Sequence, residues 1–329
     1  MGNSRGQILE WESRWSLRTG VISFAGVALL IAAAVAISSV NGEGEAELLR
    51  AAHEHSSSVT LSAVLSALGF ILLLAPLYFL FRAASSRSNR MRRQLVGLVI
   101  AAPLFFAVSA VLNAAATNEA GDQFASGQAS STLTAKEAGS ECRSKSKENG
   151  AKEFGEEFNA GASPQADCVQ TKVADDEASN ALSEATYRGV ATGFGLGGRL
   201  GLAVALFYSC LWGMRVGLLS RFWGSLGMAL GVAALLLLVQ FTLIWFFYFG
   251  LLLIGKVPGG RPPAWAAGEA VPWPTPGERA AASLEASDSD PGDQDQEPPG
   301  PGPIEAPSID DDDPSSGPGT RRKRKRRNS

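Results

Sequence analysis

The stretch SLGMALGVAALLLLVQFTLIWFFYFGLLLI, Ser225 to Ile254, is 30 residues long and holds no charge. A soluble domain of this size has no need of such a run, whereas a bilayer accounts for it directly. Four other stretches share its character: 20–40, 59–81, 95–116 and 190–214. All 32 acidic residues of the chain lie outside these five stretches, and of the 29 basic residues only Arg199 falls clearly within one. A charge at mid-bilayer costs about 2.5 kcal/mol or more, so partition this complete is what a low-dielectric solvent imposes. The expected fold class is therefore an all-α polytopic membrane helix bundle with a disordered C-terminal tail.

As one helix the 30-residue run would measure about 45 Å against a hydrocarbon core of about 30 Å. That arrangement gives five crossings. Folded as a hairpin, with Gln240 and Thr242 the only polar residues near its midpoint, the run gives six crossings, and six is the expectation adopted. The organisation expected is a cytoplasmic lead-in over 1–19, three transmembrane helices over 20–116, and an external acidic loop over 117–188. Membrane helices four to six follow over 189–255, then a disordered Pro- and acid-rich tail over 256–329 with a polybasic end. That tail carries 14 of the chain's 17 prolines. The acidic loop has little aliphatic content and is not expected to bury a core of its own, though helix is expected from Val169 to Tyr187.

Orientation follows from charge. The turn 82–94 holds five arginines and no acid, while 41–58 and 117–188 are acidic. The positive-inside bias places the turn and the N-terminus in the cytoplasm of a cell bounded by this plasma membrane. Ile8, Trp11 and Trp15 share one face of the lead-in, with the tryptophans at headgroup depth.

Candidate sites are few. The letters Gly193, Gly195 and Gly198 match a dinucleotide fingerprint but lack its βαβ context. Gly193, Gly197 and Gly201, spaced by four, read as a helix-packing stripe, as do Ala28, Ala32 and Ala36. Arg199, Gln240 and Asn113 are the candidate intramembrane polar groups. Cys142 and Cys168, outside the membrane, can pair and close a loop. Arg321, Arg322, Lys323, Arg324, Lys325, Arg326 and Arg327 form a cluster suited to anionic lipid headgroups or polymers. No constellation for catalysis, metal or cofactor stands in the sequence. His53 and His55 read as loop residues, and specific nucleic-acid binding has no signature. Trp265 and Trp273 are expected at the membrane interface.

The runs GLLSRFWGSLGMALG (Gly217 to Gly231) and GGRPPAWAAGEAVPWP (Gly259 to Pro274) resemble segments of uncharacterised multi-pass membrane proteins of high-GC bacteria. In such families a GLL-x-R-x-x-G-x-LG turn enters a final short membrane hairpin. The resemblance implies six segments and carries no activity. The functional expectation is a non-enzymatic membrane protein, structural or regulatory, that meets partners through its external loop and polar tail. A small-molecule transporter or channel is the alternative.

Overall fold

The computed structural model describes residues 5–42, 44–149, 164–236, 238–257 and 260–273, with 277, 278 and 281; side chains are described outside 144–149 and 164–165. The chain divides into two compact units, 1–273 and 274–329. The second, with the expected disordered tail and Arg321 to Arg327, lies almost wholly outside the described residues.

Unit one is all-helical among the described residues. Its helices are α1 (Arg5–Ile37), α2 (Glu45–Glu54), α3 (Ser56–Arg87), α4 (Val96–Ala125), α5 (Ala135–Asn149), α6 (Pro164–Glu184), α7 (Arg188–Arg215), α8 (Arg221–Leu235), α9 (Thr242–Ile254) and α10 (Ala264–Ala267). Four helical stretches are long and apolar enough to cross a membrane: Arg5–Ile37, Ser56–Arg87, Arg93–Ala125 and Arg188–Arg215. They alternate in direction, so one end of the bundle gathers the arginine-rich turn and the other the acidic segments. These are called the basic end and the acidic end.

The helices pack in chain order around the bundle: α1 on α3, α3 on α4, α4 on α7, α7 on α8, and α9 back on α1. Small residues set each crossing. On α1 and α3, Gly26 and Gly69 face each other, and a Cβ on either would come within about 3.2 Å of the other's carbonyl oxygen. The packed face of α1 is Ser23, Gly26, Val27, Leu30 and Ala33. The alanine stripe expected for that role does not serve it, since Ala28 and Ala32 are exposed. Hydroxyls close to backbone carbonyls across helices satisfy polar groups that lipid cannot. Ser23 Oγ donates to Phe246 O at 2.8 Å and Ser109 Oγ to Ala191 O at 2.9 Å. Pro76 and Pro103 are both buried within α3 and α4.

The lead-in is continuous with the first membrane-length helix: α1 runs unbroken for 33 residues from Arg5. The 30-residue apolar run is two helices, not one. α8 ends at Leu235, a 3-10 turn covers Val239–Phe241, and α9 starts at Thr242. At 1.5 Å per residue α8 is about 22 Å long, and α9 with its preceding turn is about 26 Å. Trp223 near the start of α8 stacks on Tyr248 of α9, and Trp245 Nε1 donates to Trp223 O at 3.1 Å, so the two arms run antiparallel.

The segment 117–188 carries the helix expected from Val169 to Tyr187, largely covered by α6, and more besides. α4 continues to Ala125, and α5 and α6 follow as helices. With α2 they make a cap at the acidic end. A small core of Ala46, Leu49, Ala116, Ala120, Ala178, Ala181 and Ala185 unites α2, α4 and α6. Alanine-rich sequence looked too weakly apolar to bury a core. It does so because small side chains let three helices approach closely.

Candidate functional site

Two places in the unit concentrate polar contacts of long sequence separation, one at each end. At the basic end, Glu12 of α1 meets Arg87 at the end of α3. The Arg87 side chain is fully buried and that of Glu12 is 5% exposed. Arg87 Nη2 donates to Glu12 Oε2 at 2.8 Å, Nη1 bonds the other carboxylate oxygen, and Nη2 also donates to Ala264 O at 3.0 Å. Trp265 lies against the guanidinium, 5.7 Å from Cζ to its ring centre, and stacks on Phe79. Trp11 stacks on the other side of Phe79 and carries Arg82 over its ring at 4.5 Å. This is a bidentate, charge-assisted contact walled by aromatic rings.

The chain after α9 completes the lock. Gly255 takes a left-handed conformation, φ 83°, and ends α9. Arg261 Nε then donates to Leu252 O at 3.1 Å, and Nη2 bonds Leu253 O, covering two carbonyls of the last turn. Trp265 Nε1 donates to Leu218 O, Trp273 Nε1 to Leu219 O, and Val271 N to Val216 O. Trp265 is 7% exposed. Trp265 is thus buried in the folded unit, and the indole N–H groups of Trp265 and Trp273 both hold the loop between α7 and α8. The tail expected from 256 therefore gives up 260–273 to the folded unit. Behind this lock Trp245, Phe249, Leu252, Leu80, Leu206, Leu218 and Leu219 are all fully buried, a dense apolar plug.

At the acidic end the cap is held by carboxylates. Asp175 Oδ1 accepts from Ala46 N at 3.0 Å. Asp176 accepts from Leu133 N, Ser131 Oγ and Thr132 N. The backbone bond from Leu133, foremost, holds the Asp176 carboxyl below its usual range. A carboxyl with a lowered folded pKa stabilises above the unfolded value of about 4 and stops doing so as pH falls through the folded one. Amide exchange at Leu133 is therefore expected to speed up below about pH 4, relative to Leu49 in the cap core. Glu119 accepts from Thr186 N and Oγ1. Cys142 and Cys168 form a disulfide between α5 and α6. His53 pairs with Asp122 at 2.9 Å, while His55 is the residue between α2 and α3. No group of three or more His, Cys, Asp or Glu able to hold a metal occurs among the described residues.

The candidate intramembrane groups do not converge. Asn113 lies near the acidic end, donating to Ser109 O at 2.9 Å and accepting from Arg188 at 3.4 Å. Gln240 is exposed in the turn between α8 and α9. Arg199 has no hydrogen bond or ion pair to any described residue. It shares a stripe (i, i+4, i+7, i+11) with Ala203, Leu206 and Cys210. Gly231 of α8 packs on Ala203 and Leu206, and Gly227 on Cys210. Arg199 thus stands one turn past that contact, level with the end of α8.

The glycine stripe needs correction in part. A Cβ on Gly193 would meet nothing within 4 Å, whereas one on Gly201 would reach Ala102 Cβ at 2.8 Å. Gly197 meets the Phe105 ring at 3.0 Å, and Gly198 meets Phe106 at 3.1 Å. Spacing by four drifts about 40° per step around the helix, so the stripe leaves the α4 face before it reaches Gly193. Gly193→Leu is expected to leave thermal stability unchanged, while Gly201→Leu overpacks the crossing and costs about 1–3 kcal/mol. Equal unfolding midpoints for the two variants would contradict this packing.

Sequence reasoning missed Glu12 and Arg87. Their pairing spans 75 residues and carries no local pattern; the one signal was an acid about two turns before an uncharged membrane stretch. No protein-family model, no curated protein and no solved structure matches this chain.

Proposed function

We propose that this chain is a non-enzymatic integral membrane protein that acts by contact, through a folded external cap. Its basic end and N-terminus lie in the cytoplasm. The positive-inside bias favours that orientation, and so does the disulfide, which belongs to an oxidising compartment. Four helices cross. The α8–α9 hairpin is read as re-entrant, entering from the cytoplasmic side and returning without emerging. Three observations support this. Both arms fall short of a core of about 30 Å. The turn is apolar, with Leu236 70% exposed and Phe241 52% exposed. Its level, near Arg199, is about 13 Å short of Val190, where the apolar part of α7 begins. The six crossings expected from sequence put the tail on the same side and differ only in the depth of this turn. In that frame Arg321 to Arg327 face the inner leaflet, where each basic residue near anionic lipid contributes about 1 kcal/mol.

The observation that carries the reading is the contrast between the two halves of the molecule. The basic half packs fully buried apolar side chains around Trp245 and Phe249. The acidic end builds a disulfide-tied cap with its own core. The unpaired Arg199 favours transport as a second reading. Proteoliposomes holding the full chain are expected to pass protons, potassium and chloride no faster than empty ones. A photoreactive residue at Gln128 or Ser183, both exposed on the cap, is expected to give discrete protein adducts in intact cells, and one at Val35 none. Ion flux that disappears in Arg199→Ala would overturn contact as the function in favour of transport.

A further inference from the structure

The arginine-rich turn between α3 and α4 is anchored to the bundle. Met91 is 4% exposed and belongs to the main core. Arg90 N donates to Ser88 Oγ at 3.3 Å, and Arg92 N donates to Tyr208 Oη of α7 at 2.8 Å. With Met91 turned inward and these backbone bonds made, Arg90, Arg92 and Arg93 stand exposed on the outside. Their side chains make no hydrogen bond or ion pair to any described residue.

The end of α7 adds donors at the same place. Tyr208 Oη accepts from Arg92, and its own proton has no acceptor among the described residues. Trp212 meets the Tyr208 ring edge-on, with centres 6.2 Å apart, and its indole N–H has no acceptor among them either. Arg215 is exposed, its Cζ 5.3 Å from the Trp212 ring centre. Four guanidinium groups and two neutral donors therefore share one surface. The sequence holds no acid over 56–118 or 185–268 to answer them. Glu10, Glu12 and Glu269, at the same end, are paired with Arg14, Arg87 and Arg5. The positive-inside bias asks only for charge on this side. It does not ask for a turn pinned to a tyrosine beside a tryptophan.

Such a surface fits an anion rich in acceptors. One phosphodiester offers a single charge and two non-bridging oxygens, too few for this set, whereas two joined phosphodiesters double both. Lipids and nucleic acids both carry that group, and the position of the surface favours a lipid. Tyr208 and Trp212 lie in the last two turns of a membrane-length helix, where amphipathic rings meet headgroups. Val204, one turn before Tyr208 on the same face, is 47% exposed and continues the surface as apolar.

We infer that this surface binds a phospholipid whose headgroup joins two phosphates, from the leaflet at the basic end. The phosphates lie across Arg90, Arg92, Arg93 and Arg215, Tyr208 and Trp212 donate between them, and an acyl chain runs over Val204. This assignment rests on the membrane reading given above.

The test uses the full chain in phosphatidylcholine vesicles with cardiolipin or phosphatidylglycerol as a probe, each bearing a diazirine on an acyl chain. The two are set to equal phosphate charge, so the surface potential is the same for both. Labelled peptides are read by mass spectrometry. The cardiolipin probe is expected to label the 204–215 segment about fivefold more than the phosphatidylglycerol probe. Arg92→Gln/Arg93→Gln is expected to bring that ratio close to one, and Arg215→Gln to lower it. Arg14→Gln/Arg18→Gln, which removes as much charge at the same end, is expected to leave it unchanged. The backbone bond from Arg92 to Tyr208 survives in every variant, and an unaltered unfolding midpoint reports that each is folded. Equal labelling of the wild type by both probes overturns the assignment. So does a preference that survives Arg92→Gln/Arg93→Gln, or one lost equally in Arg14→Gln/Arg18→Gln. Displacement of the cardiolipin probe by micromolar pyrophosphate or a micromolar oligonucleotide would assign the surface to a soluble polyanion and overturn the lipid. If neither probe labels any helix, including α1 at Val35, the membrane reading itself has failed.

Discussion

Replacing Arg87 by alanine is expected to destabilise the folded unit by about 3–5 kcal/mol. The loss comes less from the attraction removed than from what stays behind. Glu12, 5% exposed, would keep a carboxylate in an aromatic-walled site without its cation, and Ala264 O would lose its donor. Removing both charges together should cost much less, because an apolar pair of similar volume leaves nothing buried and unpaired. The check is a double-mutant cycle on Arg87→Met, Glu12→Leu and the double variant, with unfolding followed by tryptophan fluorescence in detergent. Each single variant is expected to fall well below the double one. Chymotrypsin should also cut after Trp265 faster in Arg87→Met, since the 260–273 strap depends on the same guanidinium. Additive single effects would mean that the pair is not coupled as its geometry requires.

The second large effect is expected in the cap. The Cys142–Cys168 bond closes a loop of 27 residues, counted from a sequence separation of 26. In the chain-entropy account that contributes about 3.5 kcal/mol. The contribution is local. α5 packs on α6, and its described buried residues are Ala138, Gly139 and Cys142, whereas the alanine core joins α2, α4 and α6 without it. The Lys172–Glu141 ion pair is partly exposed and adds little. Reduction should therefore release α5 and leave the rest of the cap folded. Limited proteolysis is expected to cut near Arg143 several-hundredfold faster in Cys142→Ser than in the wild type, roughly the opening constant that 3.5 kcal/mol implies. Cleavage within α2 should stay unchanged. Equal rates at Arg143 with and without the bond would show that α5 is held by other contacts.

The membrane-length helices were legible because lipid imposes a rule on every residue of a span, and one window of sequence reveals it. Cys142 and Cys168 were legible for a similar reason: two cysteines outside the spans leave one pairing. What stayed hidden depends on geometry between distant segments. Ala28 and Ala32 look like a packing stripe, but the face of α1 is chosen by its neighbours, and Gly26 with Leu30 meets Gly69 instead. The break after Leu235, by contrast, was legible without a Gly or Pro, from a run too long for one span with Gln240 and Thr242 near its midpoint. Trp265 among prolines looked like an interfacial residue until a carbonyl at Leu218 claimed its N–H.

The central claim is that the chain turns back within the membrane after α8 and returns to the basic end. Cysteine accessibility in intact and permeabilised cells tests it most directly, using a Cys210→Ala background and a membrane-impermeant maleimide. Single cysteines are placed at Gln128, Leu236, Arg90 and Glu269. The account predicts labelling of Gln128→Cys from outside, labelling of Arg90→Cys and Glu269→Cys only after permeabilisation, and no labelling of Leu236→Cys from either side. Labelling of Leu236→Cys in intact cells would mean six full crossings, and labelling of Glu269→Cys in intact cells would contradict the hairpin altogether.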